Sequence, residues 1–309
     1  MPSKSFSANG KLLVTGEYVV LDGALALALP TKLGQAMDIE AISSDELIWE
    51  SRDADNSVWF QHSFPHFHKE IVNSDITERL RLILRQAQRQ NPTFLKKLGF
   101  KITTKLTFPR KWGLGTSSTL IHLIAQWAKV DPFELLFHAF GGSGYDIACA
   151  GADGPITYQL IEKNQPIFQP IFQSIPFNPP FKEQLYFVYL DKKQDSKEGI
   201  ARYRAKSGNS QKVIEKITQL STELVNTCEL FEFEQLLNQH EAIISELIEL
   251  PKVKDLYFRD YWGTVKSLGA WGGDFVLVTS HKSETETREY FNEKGFKVFL
   301  KYSELIKAE

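Results

Sequence analysis

The sequence predicts an α+β protein of two domains, and three observations carry that expectation. The chain has 309 residues, about twice the length of an ordinary single domain. From Ser5 to Phe108 short apolar runs (KLLV, ALALAL, ELIWES, SVWFQH, GFKITTKLTF) are separated by Gly, Asp, Asn and Ser clusters, which reads as a sheet. Beyond residue 184 the strand-like runs LYFVYL, FVLVTS and KVFLKY are spaced by long helical periods, an α+β pattern. The expected division is 1–165 and 166–309.

Within the first half one helix interrupts the strands. It opens at Asp75 with Glu78 three residues on, a capping-box spacing, and carries Ile76, Leu80, Ile83, Leu84 and Ala87 on one face, to lie against the sheet. TSSTLIHLIAQWAKV follows as a buried helix, then a second glycine turn, FGGSGYDIACAGADG, and the strand PITYQLI. Asp131 before Pro132 has the pattern of a cap with proline at the first helical position. The tract NQPIFQPIFQSIPFNPPFKEQ, rich in Pro and Gln without a helical period, is expected to be an extended crossing between the domains. Helices are expected over Lys197 to Ala205, Gln211 to Asn226 and Phe231 to Leu250.

Charge narrows the partners. Thirty-six basic and 38 acidic residues are interspersed to a net charge of -2, so no global field recruits nucleic acid, and phosphate binding must be arranged locally. The two cysteines, Cys149 and Cys228, are far apart and outside any CxxC spacing, which argues against a disulfide scaffold or thiolate zinc site and fits a cytoplasmic protein. The opening residues lack the basic-then-apolar pattern of an export signal, and no window approaches a membrane span, so neither export nor anchoring is expected. His62, His66 and His68 cluster in QHSFPHFHKE, but Pro65 disfavours the helix that would put two of them on one face, and no metal site is expected there.

Three glycine-rich segments carry the chemistry. In FPRKWGLGTSSTL, Gly113, Leu114 and Gly115 precede a helix starting Thr116, Ser117, Ser118. Glycines let backbone approach a phosphate, and the free N–H groups of a helix start point at it; a plain glycine turn with hydroxyl caps is the alternative. The Walker pattern GxxxxGK[ST] and the protein-kinase HRD and DFG signatures are absent. In GGSGYDIACAG, Asp146 falls just past a glycine turn, either as a carboxylate able to orient a substrate hydroxyl or as a helix cap. In VKSLGAWGGDFVLV, Gly269, Gly272 and Gly273 lead into a strand and allow close backbone approach to a ligand.

With SANGKLLVTGEYVVLDG at the N-terminal end, these segments resemble, in order, the motifs of the GHMP kinases, and most nearly those of phosphomevalonate kinases, including GEY where mevalonate kinases have GEH and the terminal Asp274 of the closing motif. The resemblance implies an N-terminal domain like domain 2 of ribosomal protein S5, a ferredoxin-like C-terminal domain and an active site between them. It implies ATP and Mg²⁺ as cofactors, a small-molecule acceptor, no nucleic-acid or membrane partner, and admits a homodimer. Lys11 would stabilise charge beside the reacting oxygen and Asp146 would be the base or orienting carboxylate. Gly113, Leu114, Gly115, Thr116, Ser117 and Ser118 would cradle phosphates, with Ser117 on Mg²⁺. Glu17, Ser143, Gly144, Lys193, Ser196 and Gly272 would surround the substrate. The segment between GLGTSS and GGSGYD is shorter than in relatives, leaving Glu134 as the acidic candidate for the second metal ligand. Leu268 and Trp271 replace a small hydroxyl residue and a glycine, so Trp271 is expected to narrow the space near the phosphates or to offer a stacking face. The implied activity is phosphorylation of phosphomevalonate in the mevalonate route to isoprenoids, with mevalonate or another metabolite as alternative acceptor and a non-catalytic regulator or scaffold as the rival class.

Overall fold

A computed structural model describes residues 3–64, 75–97, 99–163, 167–192, 196–206, 210–269 and 271–308. By contact the chain forms two compact units that interleave in sequence: residues 1–10, 33–110 and 114–151 make the first, and 11–32, 111–113 and 152–309 the second.

The first unit is a sheet covered on one face by helices. Strands β1 (Lys4–Leu13) and β2 (Ala26–Ala41) belong to it in part, with β3 (Leu47–Arg52), β4 (Val58–Phe64), α1 (Asp75–Gln90) and β5 (Phe100–Leu106). The strand order is β4-β3-β5-β2, with β3 parallel to β5 and the other neighbours antiparallel. Alternation decides which face is inside: Leu47, Trp49 and Ser51 of β3 are buried while Ile48, Glu50 and Arg52 are less so, as a strand with one covered face requires. Helices α2 (Thr116–Ala128), α3 (Pro132–Ala139) and α4 (Tyr145–Gly151) complete the unit. Their apolar residues form one core with Met37, Trp49, Ile102 and the Leu80, Ile83, Leu84, Ala87 stripe of α1. Ile76, in the first turn of α1, is exposed instead, and Thr77 and Arg81 are buried. Glu78 is paired with Arg81 at 2.7 Å. Asp131 caps α3 as its sequence pattern implies, accepting from the N–H groups of Phe133 and Glu134, with Pro132 at the helix start.

In the second unit β6 (Ile156–Lys163) pairs with the Ala26–Ala28 stretch of β2 and with β7 (Ile167–Ser174). The tract expected to cross between domains is thus, over these residues, a strand. It ends the path β2-β6-β7, and an end strand tolerates the missing N–H of Pro170. A second sheet, ordered β11-β8-β10-β9 and antiparallel throughout, contains β8 (Leu185–Tyr189), β9 (Val265–Ser267), β10 (Phe275–Thr279) and β11 (Phe299–Lys301). Helices α5 (Ser196–Lys206), α6 (Ser210–Asn226), α7 (Leu230–Ile248) and α8 (Val253–Tyr257) separate β8 from β9, and α9 (Glu284–Glu293) separates β10 from β11. This β-α-β-β-α-β succession, with the third strand between the first two, is a split βαβ arrangement.

The units do not meet at a single cut near residue 165, because residues 11–32 are held by α6 and α7. Gly16 N–H donates to His240, Ser221 to Thr15 and to the Leu25 carbonyl, and Leu25 N–H to Thr218.

Candidate active site

The second unit brings three motif segments together at Lys11. The Lys11 ammonium, half-buried at the end of β1, donates to the Gly113 carbonyl at 2.9 Å. A Cβ on Gly269 of the closing segment would lie 4.0 Å from the same nitrogen. Gly113 has φ 68, and a Cβ there would stand 1.9 Å from a carboxylate oxygen of Asp274. Glycine is required at 113 on both counts, left-handed backbone and lack of room. Asp274 is fixed by its own backbone, its N–H donating to Lys192 and its carbonyl accepting from Leu190. The approach to Gly113 is anchored as well: the Tyr189 hydroxyl donates to the Lys111 carbonyl at 2.9 Å, and the Trp112 ring packs on Tyr189 and Phe275. Burial, reinforced by the charges of Asp191 and Asp274, pushes the Tyr189 hydroxyl up to about 12, so it stays a donor. Gly113→Ala is expected to destabilise the chain by roughly 1–3 kcal/mol, the usual cost of a strained backbone residue, read as a lowered urea midpoint.

The glycine loop continues into the first unit. Gly115, at φ 98, is the N-cap of α2 and supplies no side-chain cap. The first intrahelical donor is Thr119 N–H, to the Gly115 carbonyl, so the N–H groups of Thr116, Ser117 and Ser118 have no partner within the helix. Ser118 Oγ donates back to Gly115 at 2.8 Å and Thr119 Oγ1 to Gln35 at 2.7 Å, which leaves Ser117 as the exposed hydroxyl of the turn. Leu114 is buried. Arg110, just upstream, stacks on Trp59 at 4.6 Å and its N–H donates to Asp53. Asp146 is half-buried in the first turn of α4, started by Gly144, whose carbonyl accepts from Ile147 and Ala148; Ser143 is buried beside it. Glu134 is exposed on α3, and no hydrogen bond or ion pair joins it to Ser117 among the described residues.

Two expectations are revised. Trp271 is 4% exposed, with its indole N–H donated to the Pro251 carbonyl and its backbone N–H to the Tyr18 hydroxyl. The ring therefore fills core volume and neither narrows a phosphate site nor offers a stacking face. Glu17, expected around the substrate, is 1% exposed and paired with Lys266. Its neighbour Tyr18 takes φ 63 and presses its ring on Gly199 of α5, where a Cβ would clash. Lys193 lies outside the described residues, as do the Ser196 side chain, His66 and His68; Ser196 is the first residue of α5. His62 packs edge-on to Phe64.

Sequence reasoning missed the buried polar cluster behind Glu17. Lys266 of β9 contacts Glu17 and, at 3.2 Å, Glu241 of α7; Glu241 also accepts the Ser267 hydroxyl at 2.8 Å and its N–H. His240, fully buried, accepts the Gly16 N–H at 2.9 Å. Burial outweighs the nearby ammonium and, with Glu241, pushes the Glu17 carboxyl up to about 7. Burial and then the Lys266 charge hold His240 well below its ordinary value, hence neutral. Burial opposes the charge on Lys266, yet its two carboxylates prevail and raise it. A signal was present: His240 and Glu241 continue the period of Phe233, Leu237, Ile244 and Ile248 along the buried stripe of α7.

The fold is that of the GHMP kinases. It is similar to the mevalonate kinase of Methanococcus jannaschii, at 17% identity over 100% of this chain and 99% of that one, TM-score 0.70. It is similar also to the phosphomevalonate kinase of Streptococcus pneumoniae solved with phosphomevalonate and AMPPNP, at 16% identity over 97% and 100%, TM-score 0.71. A D-glycero-D-manno-heptose 1-phosphate kinase from Bacteriodes thetaiotaomicron matches at 16% identity over 99% and 97%, TM-score 0.70. At these identities the likeness is one of fold. No family model and no curated protein matches the chain. Among the described residues no helix is long and apolar enough to cross a membrane.

Proposed function

We propose that this protein is an ATP- and Mg²⁺-dependent small-molecule kinase whose acceptor is phosphomevalonate. The observation that carries the reading is the Lys11 ammonium, hydrogen-bonded to the first glycine of the GLGTSS loop and set against Gly269 of the closing segment. Phosphoryl transfer asks a protein mainly for positioning and for neutralising charge, and a half-buried cation at a glycine loop supplies both. The chain's own groups fit a nucleotide phosphate: Gly113 and Gly115 are left-handed and without Cβ, and the N–H groups of Thr116 to Ser118 are unclaimed by the helix. The Ser117 hydroxyl is assigned to Mg²⁺. Bound ATP would supply the transferred phosphoryl group. Asp146 is assigned to orient the acceptor oxygen and, where the acceptor is a hydroxyl, to take its proton. The phosphomevalonate and AMPPNP complex of a protein sharing this fold supports the nucleotide and the acceptor class.

The test is ADP release with ATP and Mg²⁺ against phosphomevalonate, mevalonate, diphosphomevalonate, homoserine and sugar phosphates. Release with phosphomevalonate, lowered by about 10²-fold in Asp146→Asn through lost orientation of the acceptor oxygen, is the expected result. Release with another acceptor alone would move the protein to that substrate. Silence with intact ATP binding would favour a non-catalytic role.

A further inference from the structure

The cluster of Glu17, His240, Glu241 and Lys266 combines four ionisable side chains, each at most 2% exposed. Its wiring is asymmetric. One Glu17 oxygen is taken by Lys266, while the other, Oε2, is buried 3.4 Å from His240 Nε2 and has no hydrogen-bond partner among the described residues. His240 Nε2 accepts the Gly16 N–H, so that nitrogen carries a lone pair and the ring proton belongs on Nδ1. A carboxylate oxygen facing a lone pair repels it. A proton on Oε2 removes that repulsion by discharging the carboxylate, while the one lone pair of Nε2 stays with the Gly16 N–H. The same proton settles the charge: Lys266 with two ionised carboxylates leaves a buried net charge of minus one, and with Glu17 protonated the cluster is neutral. Buried charge without compensation is costly.

We propose that Glu17 carries a proton in the folded protein and that Glu17 and His240 act as positioning residues, pinning the opening loop at Gly16–Glu17 to α7 and, through Lys266 and Glu241, to the β9 segment that leads into the closing glycines. The proposal deepens the kinase reading and rests on it for its catalytic consequence. Gly16 lies five positions after Lys11 and Gly269 three positions after Lys266, in the two segments that meet at the Lys11 ammonium. Holding both from one buried cluster fixes where that ammonium stands. The groups facing Glu17 are Lys266 from β9, His240 and Glu241 from α7, and the adjacent Tyr18.

Two series test this, each over pH 5 to 9. In the first, kcat and KM are measured for the wild type, His240→Leu, which removes the acceptor, and His240→Gln, which keeps an acceptor oxygen. The expected result is a kcat roughly 10²-fold lower in His240→Leu, the scale of a small misplacement at a reacting centre, with KM for ATP changed by less than about threefold and His240→Gln recovering most of the loss. Equal impairment in both His240 variants overturns the positioning role. In the second, urea unfolding midpoints without substrate are compared for the wild type and Glu17→Gln. Wild-type stability is expected to fall as pH rises through about 7, and the fall to disappear in Glu17→Gln; an unchanged slope in that variant overturns the proton on Glu17. The unfolding series needs no acceptor, so a protein that phosphorylates nothing would end the kinase reading while this result still decides the proton.

Discussion

Lys11→Met is expected to lower kcat by about 10³-fold while leaving the chain folded. The ammonium is half-buried and makes a charge-assisted bond to the Gly113 carbonyl, a contact worth on the order of 1.5–3 kcal/mol. Methionine keeps the unbranched length of the side chain. What is lost is positive charge at the glycine loop, and removing one group that stabilises developing charge costs about 10²–10³ in rate. A cation is a stronger stabiliser than a neutral donor, so the upper end applies. The measurement is single-turnover phosphoryl transfer at saturating ATP beside a urea titration. A rate within tenfold of wild type would remove Lys11 from the chemistry.

Lys266→Met is expected to have the opposite profile, a loss of stability of roughly 3–5 kcal/mol at neutral pH, because it leaves Glu17 and Glu241 buried without their cation. Acid should restore part of that loss, since protonating the carboxylates discharges them. The wild type already leans this way. Glu17 is raised from 4.5 to about 7, so between those values the folded state binds more protons than the unfolded one and stability falls as pH rises. The shift corresponds to roughly 3 kcal/mol across that window. Urea midpoints at pH 5 and pH 8 decide it: the gap between variant and wild type should be narrower at pH 5.

The elements were legible because each leaves a local mark, as do the residues proposed for catalysis. A period of two marks β3, a period near 3.6 marks α7, and glycines before a hydroxyl-rich helix start mark the left-handed turn from Gly113 into α2. What escaped depends on distant partners. Trp271 sits among glycines in sequence, yet Pro251 takes its indole N–H and Tyr18 its backbone N–H. Glu17 looks like a ligand-facing acid until Lys266, almost 250 residues later, is found beside it. The tract around Pro170 lacks the alternation of a half-buried strand, and only its pairing with β6 makes it one. His240 and Glu241 could have been seen, since ionisable residues on an apolar helix stripe need partners.

The interleaving of the two units bears on how the chain is made. Residues 11–32 emerge early during synthesis, but the groups that satisfy them, Thr218, Ser221 and His240, are some two hundred residues downstream. The first unit closes with residue 151, while the second must wait for α6 and α7. Long-range contacts of this kind are slow to form, and until they do, the apolar run from Leu12 to Leu29 is exposed on the nascent chain, a segment for which a chaperone would have reason to compete. A fragment ending near residue 165 would contain every residue of the first unit and still carry that run without its cover, so truncation at the apparent domain boundary should yield an aggregating product and not a minimal nucleotide-binding module.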